Sequence, residues 1–219
     1  MLTLDILLLV AVLIFSVVVH EVAHAWQARR EGDTTAEQLG RITLNPIPHL
    51  DPIGSVVIPL LLAWQGGIIF GWAKPVPVNP LNYRSPVAGD IRVSLAGIVS
   101  NLGLAALATL LAAIVTKLSW MTGSFGGPWS VALHTLDYAI VINLVLAFFN
   151  LIPIPPLDGS HVVAHALPAP LARRYRELGR YGLLIVMAIV FLAPGLLDVF
   201  LTPVFELQGL ADRFIRLWI

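Results

Sequence analysis

His20-Glu21-Val22-Ala23-His24 combines the residue types of a metal chelate with a carboxylate placed for proton transfer. On a helix, positions i and i+4 share a face, so both imidazoles can reach one ion. Zinc suits such a pair, taking histidine nitrogens at about 2.0–2.1 Å. A bound zinc makes water a nucleophile near neutral pH, and Glu21 stands one residue along, where it can take that water's proton. The chemistry on offer is hydrolysis. HExxH alone is a short pattern, but here its three ionisable side chains sit inside an apolar run. Ionisable groups at membrane depth are costly and mark function.

A catalytic zinc site keeps three protein ligands and one open position. No third histidine follows at close spacing. The residues that could complete the site are His49, Asp51, His134, Asp137, Asp158, His161 and His165. Asp158 lies in NLIPIPPLDGS, residues 150–160, where Pro153, Pro155 and Pro156 break the end of an apolar segment. Irregular backbone at that depth must line a cavity or be buried in protein.

The elements that must carry these residues are membrane helices. The chain is 58% hydrophobic and 12% charged over 219 residues, with mean hydropathy +0.85. Soluble domains carry about 25% charge, so too little polar surface remains to coat a water-soluble globule. The absence of cysteine excludes disulfides, thiolate ligands and a cysteine nucleophile. A formal net charge of zero points to no nucleic-acid partner. Spanning a bilayer takes about 20 mostly apolar residues. Leu4 to Trp26, Ile91 to Val115, Val131 to Ile152 and Tyr181 to Phe200 qualify. The first lacks a basic leader region and a small-residue cleavage site and runs straight into His20, so it is read as a retained helix. Pro52 to Phe70 is weaker, being interrupted by Pro59, Gln65 and Gly66-Gly67. The tail from Phe200 to Ile219 has the mixed character of an interfacial amphipathic helix. Trp26, Trp64, Trp72, Trp120, Trp129 and Trp218 fall near span ends, as an aromatic belt does.

Charge bias decides the doubtful segment. If 52–70 spans, the basic residues divide six inside to seven outside; if it dips in and returns, they divide ten to three. The second division obeys the positive-inside rule. It predicts four spans, the N-terminus outside and residues 52–70 re-entrant. The span 131–152 then runs inward and delivers Asp158 to the side where His20 and His24 lie. A spanning 52–70 would leave Asp158 a bilayer away.

HEVAH at 20–24, GWAKPVPVN at 71–79, LAGIVSN at 95–101 and NLIPIPPLDG at 150–159 together resemble the site-2 protease family of intramembrane zinc metalloproteases, in the family's order and over nearly the whole chain. The resemblance implies His20, His24 and Asp158 as ligands of one zinc per chain, with Glu21 as general base. It also implies that Asn150 positions substrate or stabilises the tetrahedral oxyanion. Residues 71–79 match the family's extended segment, so Ala73, Lys74, Pro75, Val76, Pro77, Val78 and Asn79 are expected to pair with an unwound substrate. An exposed strand edge offers a peptide backbone new partners. In LAGIVSN, Ile98 follows the glycine where relatives often carry proline, which weakens a role for Asn101. Ala96, Gly97 and Ser100 fit close helix packing.

The expectation is a single polytopic domain over 1–219, an all-α integral membrane protein. It has about four transmembrane helices, a re-entrant segment at 52–70 and a short extended edge segment at 71–80. It resembles the short prokaryotic branch without PDZ or CBS domains. The expected partners are the lipid bilayer, a membrane-protein substrate with a transmembrane helix, and regulators that the sequence does not identify. The expected location is a prokaryotic cell membrane, with the active site toward the cytoplasm. A metal transporter would place polar groups along a path through the bilayer rather than in one cluster. An inactive membrane chaperone would not need the intact base. His49 and Asp51 read as turn anchors, His161 and His165 as the start of an interfacial helix, and Arg173 to Arg180 as a positive-inside anchor.

Overall fold

The computed structural model describes residues 2–57 and 73–218. Helix α1, Leu2–Glu31, is 30 residues long, or about 45 Å at 1.5 Å per residue. It ends where Gly32 takes φ 114°, a conformation that favours glycine. Arg29 and Arg30 in its last turn complement the helix dipole. A short α2, Thr35–Gln38, follows. Helix α3, Pro86–Thr122, is the longest at 37 residues. It starts with proline in its first turn, where a missing N–H costs nothing, and stops at Gly123 with φ 63°. Helix α4, Pro128–Asn150, returns antiparallel to it. The short α5, Gly159–Ala166, and α6, Ala169–Glu177, lead through a 3-10 turn to α7, Gly182–Leu192, and α8, Pro194–Arg216.

Three of these helices, α1, α3 and α4, are long and apolar enough to cross a membrane, and α7 with α8 adds a fourth as a bent pair. The all-α expectation holds. The uninterrupted fourth span expected over Tyr181 to Phe200 does not form. The helix breaks at Ala193, and its halves diverge by 85°. Proline at 194 is the cause: it lacks an N–H and cannot extend the preceding helix, but it suits the first turn of a new one. The tail is accordingly part of α8, whose Leu201, Val204, Leu207, Ala211 and Ile215 pack into the bundle.

The core forms where small residues let backbones approach. Buried Ala105 and Ala108 of α3 meet Ile140 and Leu144 of α4 and Val204 and Ala211 of α8. In lipid the tails are as apolar as leucine, so packing contact rather than water exclusion holds such helices together. The opposite faces carry Leu107, Leu110, Ile114 and Leu118 exposed on α3. In water that stripe would be a liability; in a bilayer it is the solvent-facing surface.

Residues 58–72 lie outside the described residues, and with them most of the expected re-entrant segment and the start of the extended one. The described part of 52–70, Pro52–Val57, is a π-helical turn. Asp51 caps it, accepting from the N–H groups of Ile53 (3.0 Å) and Gly54 (2.7 Å). Residues 73–79 carry no regular secondary structure, with Asn79 in the extended region, and no strand ladder forms among the described residues. Pro75 and Pro77 have no N–H to offer. The Lys74 N–H is spent on His49 O (2.8 Å), that of Val76 on Glu21, and that of Asn79 on Asp33.

Candidate metal centre

His20 and His24 lie one turn apart on α1, both buried. Asp158 stands at the N-cap position of α5, its side chain making no cap hydrogen bond. The two Nε2 atoms are 3.0 Å apart, and Asp158 Oδ2 is 3.2 Å from that of His20 and 3.3 Å from that of His24. Ligands at about 2.0–2.1 Å on tetrahedral zinc stand about 3.3 Å from one another, so the triangle has the edges of a zinc face. Among the described residues it is the group of three whose ligand atoms converge.

Each imidazole's other nitrogen is occupied. His20 Nδ1 donates to Asn101 Oδ1 over 2.6 Å, and His24 Nδ1 donates to the Val93 carbonyl over 2.7 Å. With both protons on Nδ1, both Nε2 atoms carry lone pairs, and no proton lies between them. Asp158 Oδ2 is likewise a buried oxygen without a hydrogen-bond donor. Three electron-pair donors facing one another in a dry site repel unless a cation sits among them, and acceptors of this kind fix ligand tautomers in metal sites. The donor set fits zinc.

Gly97 explains how α3 passes so near. A Cβ built there falls 2.5 Å from His20 Cε1 and from His24 Nε2. Glycine is needed for contact between a helix backbone and the imidazoles, beyond general helix packing. Gly159 is constrained in the same way. A side chain there would collide with the Leu151 carbonyl, so the chain turns directly from Asp158 into α5.

Glu21 is half-buried beside the triangle, and its Oε2 accepts the Val76 N–H over 2.8 Å. The 73–79 segment is thereby brought against the HExxH helix. It is pinned elsewhere too: Arg41 donates to Lys74 O (2.9 Å) and Pro75 O (3.4 Å), and Val76 packs with Ala25 and Ala36. Asp33 organises both ends of this arrangement. Its Oδ1 accepts from the Thr35 N–H, the Thr35 hydroxyl and Asn82 Nδ2, and its Oδ2 accepts the Asn79 N–H over 2.6 Å. Burial opposes the charge, but these donors prevail and hold the carboxyl below the usual aspartate range. Glu31 at the end of α1 clasps the Arg92 guanidinium through two 2.7 Å bonds, tying α1 to the start of α3.

The other residues marked in the sequence lie elsewhere. Asn150 donates its amide to Leu146 O (2.9 Å) within its own helix. His49 is buried, with Nε2 donating to Thr43 O. His161 and His165 both reach one carboxylate oxygen of Asp90 on α3, at 3.2 and 2.7 Å. That contact, opposed by burial, raises the His161 pKa. Asn101, Asn143, Asp33 and Asp90 were not singled out as site residues. The available signal was a polar side chain in an otherwise apolar span, which Asn101 and Asn143 both show.

The fold and site define a membrane-embedded metalloenzyme in which His20, His24 and Asp158 form a group that could hold a metal, with Glu21 adjacent. Residues 8–193 match the model of the family described as Peptidase family M50. "Putative zinc metalloprotease YwhC" of Bacillus subtilis is 40% identical over 191 residues, 85% of this chain and 80% of that protein. Rip2 of Mycolicibacterium smegmatis is 33% identical over 196 residues, covering 87% of this chain and 68% of Rip2. Rip2 of Mycobacterium tuberculosis H37Rv is 32% identical over 201 residues, covering 90% and 73%. No solved structure matches. The chain belongs to peptidase family M50, the site-2 protease family, and is a zinc metalloprotease of the membrane.

Proposed function

We propose that this protease hydrolyses peptide bonds in or near transmembrane segments of other membrane proteins, on the cytoplasmic side of a prokaryotic cell membrane. The observation that carries this reading is the convergence of His20, His24 and Asp158 beside Glu21 on a helix made to cross a bilayer. Those three residues would hold the zinc, which when bound would supply Lewis-acid polarisation of the scissile carbonyl and of water. Glu21 takes the proton of the attacking water and returns it to the leaving amine. The Val76 N–H holds Oε2 of Glu21 over 2.8 Å, which fixes the carboxylate beside the metal-binding group. Asn150 is an amide donor for substrate or oxyanion; in that role it exchanges its bond to Leu146 for one to the peptide.

A substrate helix must unwind before attack, and its freed backbone N–H groups then need acceptors. Residues 73–79 offer them: Pro75 and Pro77 leave the segment richer in carbonyls than in N–H groups. The sidedness rests on charge. Arg41, Arg84 and Arg92 gather near the HExxH end of α1 through contacts with Lys74 O, Glu31 O and the Glu31 carboxylate. Lys117 sits near the far end of α3. Such an imbalance marks the cytoplasmic face.

The test is zinc content and cleavage of a single-span model substrate in liposomes, for wild type, Glu21→Gln and Asp158→Ala. Wild type should hold about one zinc and cut. Glu21→Gln should hold zinc without cutting, and Asp158→Ala should lose zinc. Cleavage by Glu21→Gln, or full zinc retention by Asp158→Ala, would overturn the assignment.

A further inference from the structure

Three polar side chains from three different helices meet at membrane depth beside the metal centre. Ser16 of α1 and Asn101 of α3 are fully buried, and Asn143 of α4 is 2% exposed. Asn143 Nδ2 donates to Ser16 Oγ (2.9 Å) and to Ala139 O (2.8 Å). Asn143 Oδ1 accepts from Asn101 Nδ2 (2.8 Å), which also donates to Ser16 O (3.4 Å). Asn101 Oδ1 then accepts the His20 proton. Ser16 precedes His20 by one helical turn, so the chain of bonds closes on the helix that bears the ligands.

This network has a direction. A backbone carbonyl can only accept. Ala139 O therefore fixes which end of the Asn143 amide is nitrogen, and Ser16 O does the same for Asn101. With all four amide hydrogens so placed, Asn143 must present oxygen to Asn101, and Asn101 must present oxygen to His20. His20 must then carry its proton on Nδ1 and its lone pair on Nε2, toward Asp158 and His24. If the Asn101 amide turned over, its NH2 would face Nδ1 and favour the other tautomer, whose Nε2–H cannot bind metal. The Val93 carbonyl needs no such guard at His24, because backbone cannot turn over.

We propose that Asn143, seconded by Ser16, is a positioning residue for the metal centre. Acting through the Asn101 amide, it holds His20 in the zinc-binding tautomer without touching metal or substrate. The proposal rests on His20 being a zinc ligand. Outer partners of metal-bound histidines change affinity by about 10- to 100-fold when removed.

The experiment is a chelator-competition titration of zinc on detergent-solubilised protein. It compares wild type, Asn143→Leu, Asn101→Leu, the double variant and Ser16→Ala, with the thermal unfolding of each metal-free form. Asn143→Leu should weaken zinc by about 10-fold or more. The double variant should be no weaker than Asn101→Leu alone, since Asn143 acts only through that amide. Ser16→Ala, a milder change that keeps the fold if Asn143→Leu does not, should weaken zinc by a few-fold. Nitrogen-15 chemical shifts of metal-free His20 should show the proton on Nδ1 in wild type and a mixture of tautomers in Asn143→Leu. Lowered thermal stability with unchanged zinc affinity and tautomer would make the network helix packing alone and overturn the proposal. So would additive losses in the double variant. Asp158→Ala separates the two readings: if it keeps wild-type zinc affinity, the ligand assignment fails, whatever Asn143→Leu does.

Discussion

The backbone N–H of Val76 donates to Oε2 of Glu21 over 2.8 Å, across 55 positions of sequence. The residue proposed to move protons and the segment proposed to meet substrate thus share one hydrogen bond. Val76→Pro removes that N–H from a stretch that already holds Pro75 and Pro77. A hydrogen bond to a charged group contributes about 1.5–3 kcal/mol. The expected result is a loss of about 10- to 100-fold in kcat, with zinc content unchanged and KM little altered. A change confined to KM would mean that the bond serves substrate binding and not the base.

Gly97→Ala puts a methyl group where two imidazoles already stand. Zinc affinity and cleavage should fall together, by 10-fold or more on the scale of disturbed metal-ligand geometry. Gly103→Ala on the same helix is the control, because nothing lies within 4 Å of its added Cβ. It should leave zinc binding alone and, by helix propensity, not lower stability.

Asp33 supports stability with a defined pH dependence. Its pKa in the fold is lower than in the unfolded chain, so its contribution is complete above about pH 4 and is lost as pH falls through the folded value. Asp33→Asn should increase hydrogen exchange at the Asn79 and Thr35 amides at neutral pH. Wild type should show the same loosening only in acid. Equal protection in the two proteins at pH 7 would remove Asp33 as the organiser of this region.

His161 on Asp90 acts with the opposite sign. The carboxylate raises the His161 pKa, so the added stability is full below about pH 6.5 and is lost as pH rises through the folded value. Asp158 stands at the N-cap position of α5, so this contact anchors the helix that follows the proposed third ligand. Thermal unfolding of the metal-free protein from pH 6 to 9 should show stability falling with pH in wild type, and a flatter profile in Asp90→Asn. Parallel profiles would show that the contact contributes nothing.

The convergent group of His20, His24 and Asp158 was legible because it is written locally: HExxH needs only helical periodicity, and Asp158 stands in a proline-broken span end. The four long apolar segments were legible for the same reason. What escaped depends on how helices sit against one another. Nothing in the spacing of residues 16, 101 and 143 says that they meet. Asn101 was discounted on a neighbouring isoleucine, yet it proves to contact His20. The fourth span was read on apolar length alone, straight through Pro194, and there the structure bends by 85°. Residues 73–79 were expected as a sheet edge, but the N–H groups of Lys74, Val76 and Asn79 go to His49 O, Glu21 and Asp33, and no strand pairs with the segment among the described residues.

The placement of Asp158 at the start of α5, far along the chain from the histidines of α1, has a consequence for biogenesis. A nascent chain that has inserted only its first two long helices already holds both imidazoles and the glutamate, but not the carboxylate that closes the triangle. That carboxylate arrives only after α4 has threaded the bilayer and the chain has turned at Gly159. On the proposed ligand set, the protease is incomplete as a metal site until its own helices are assembled.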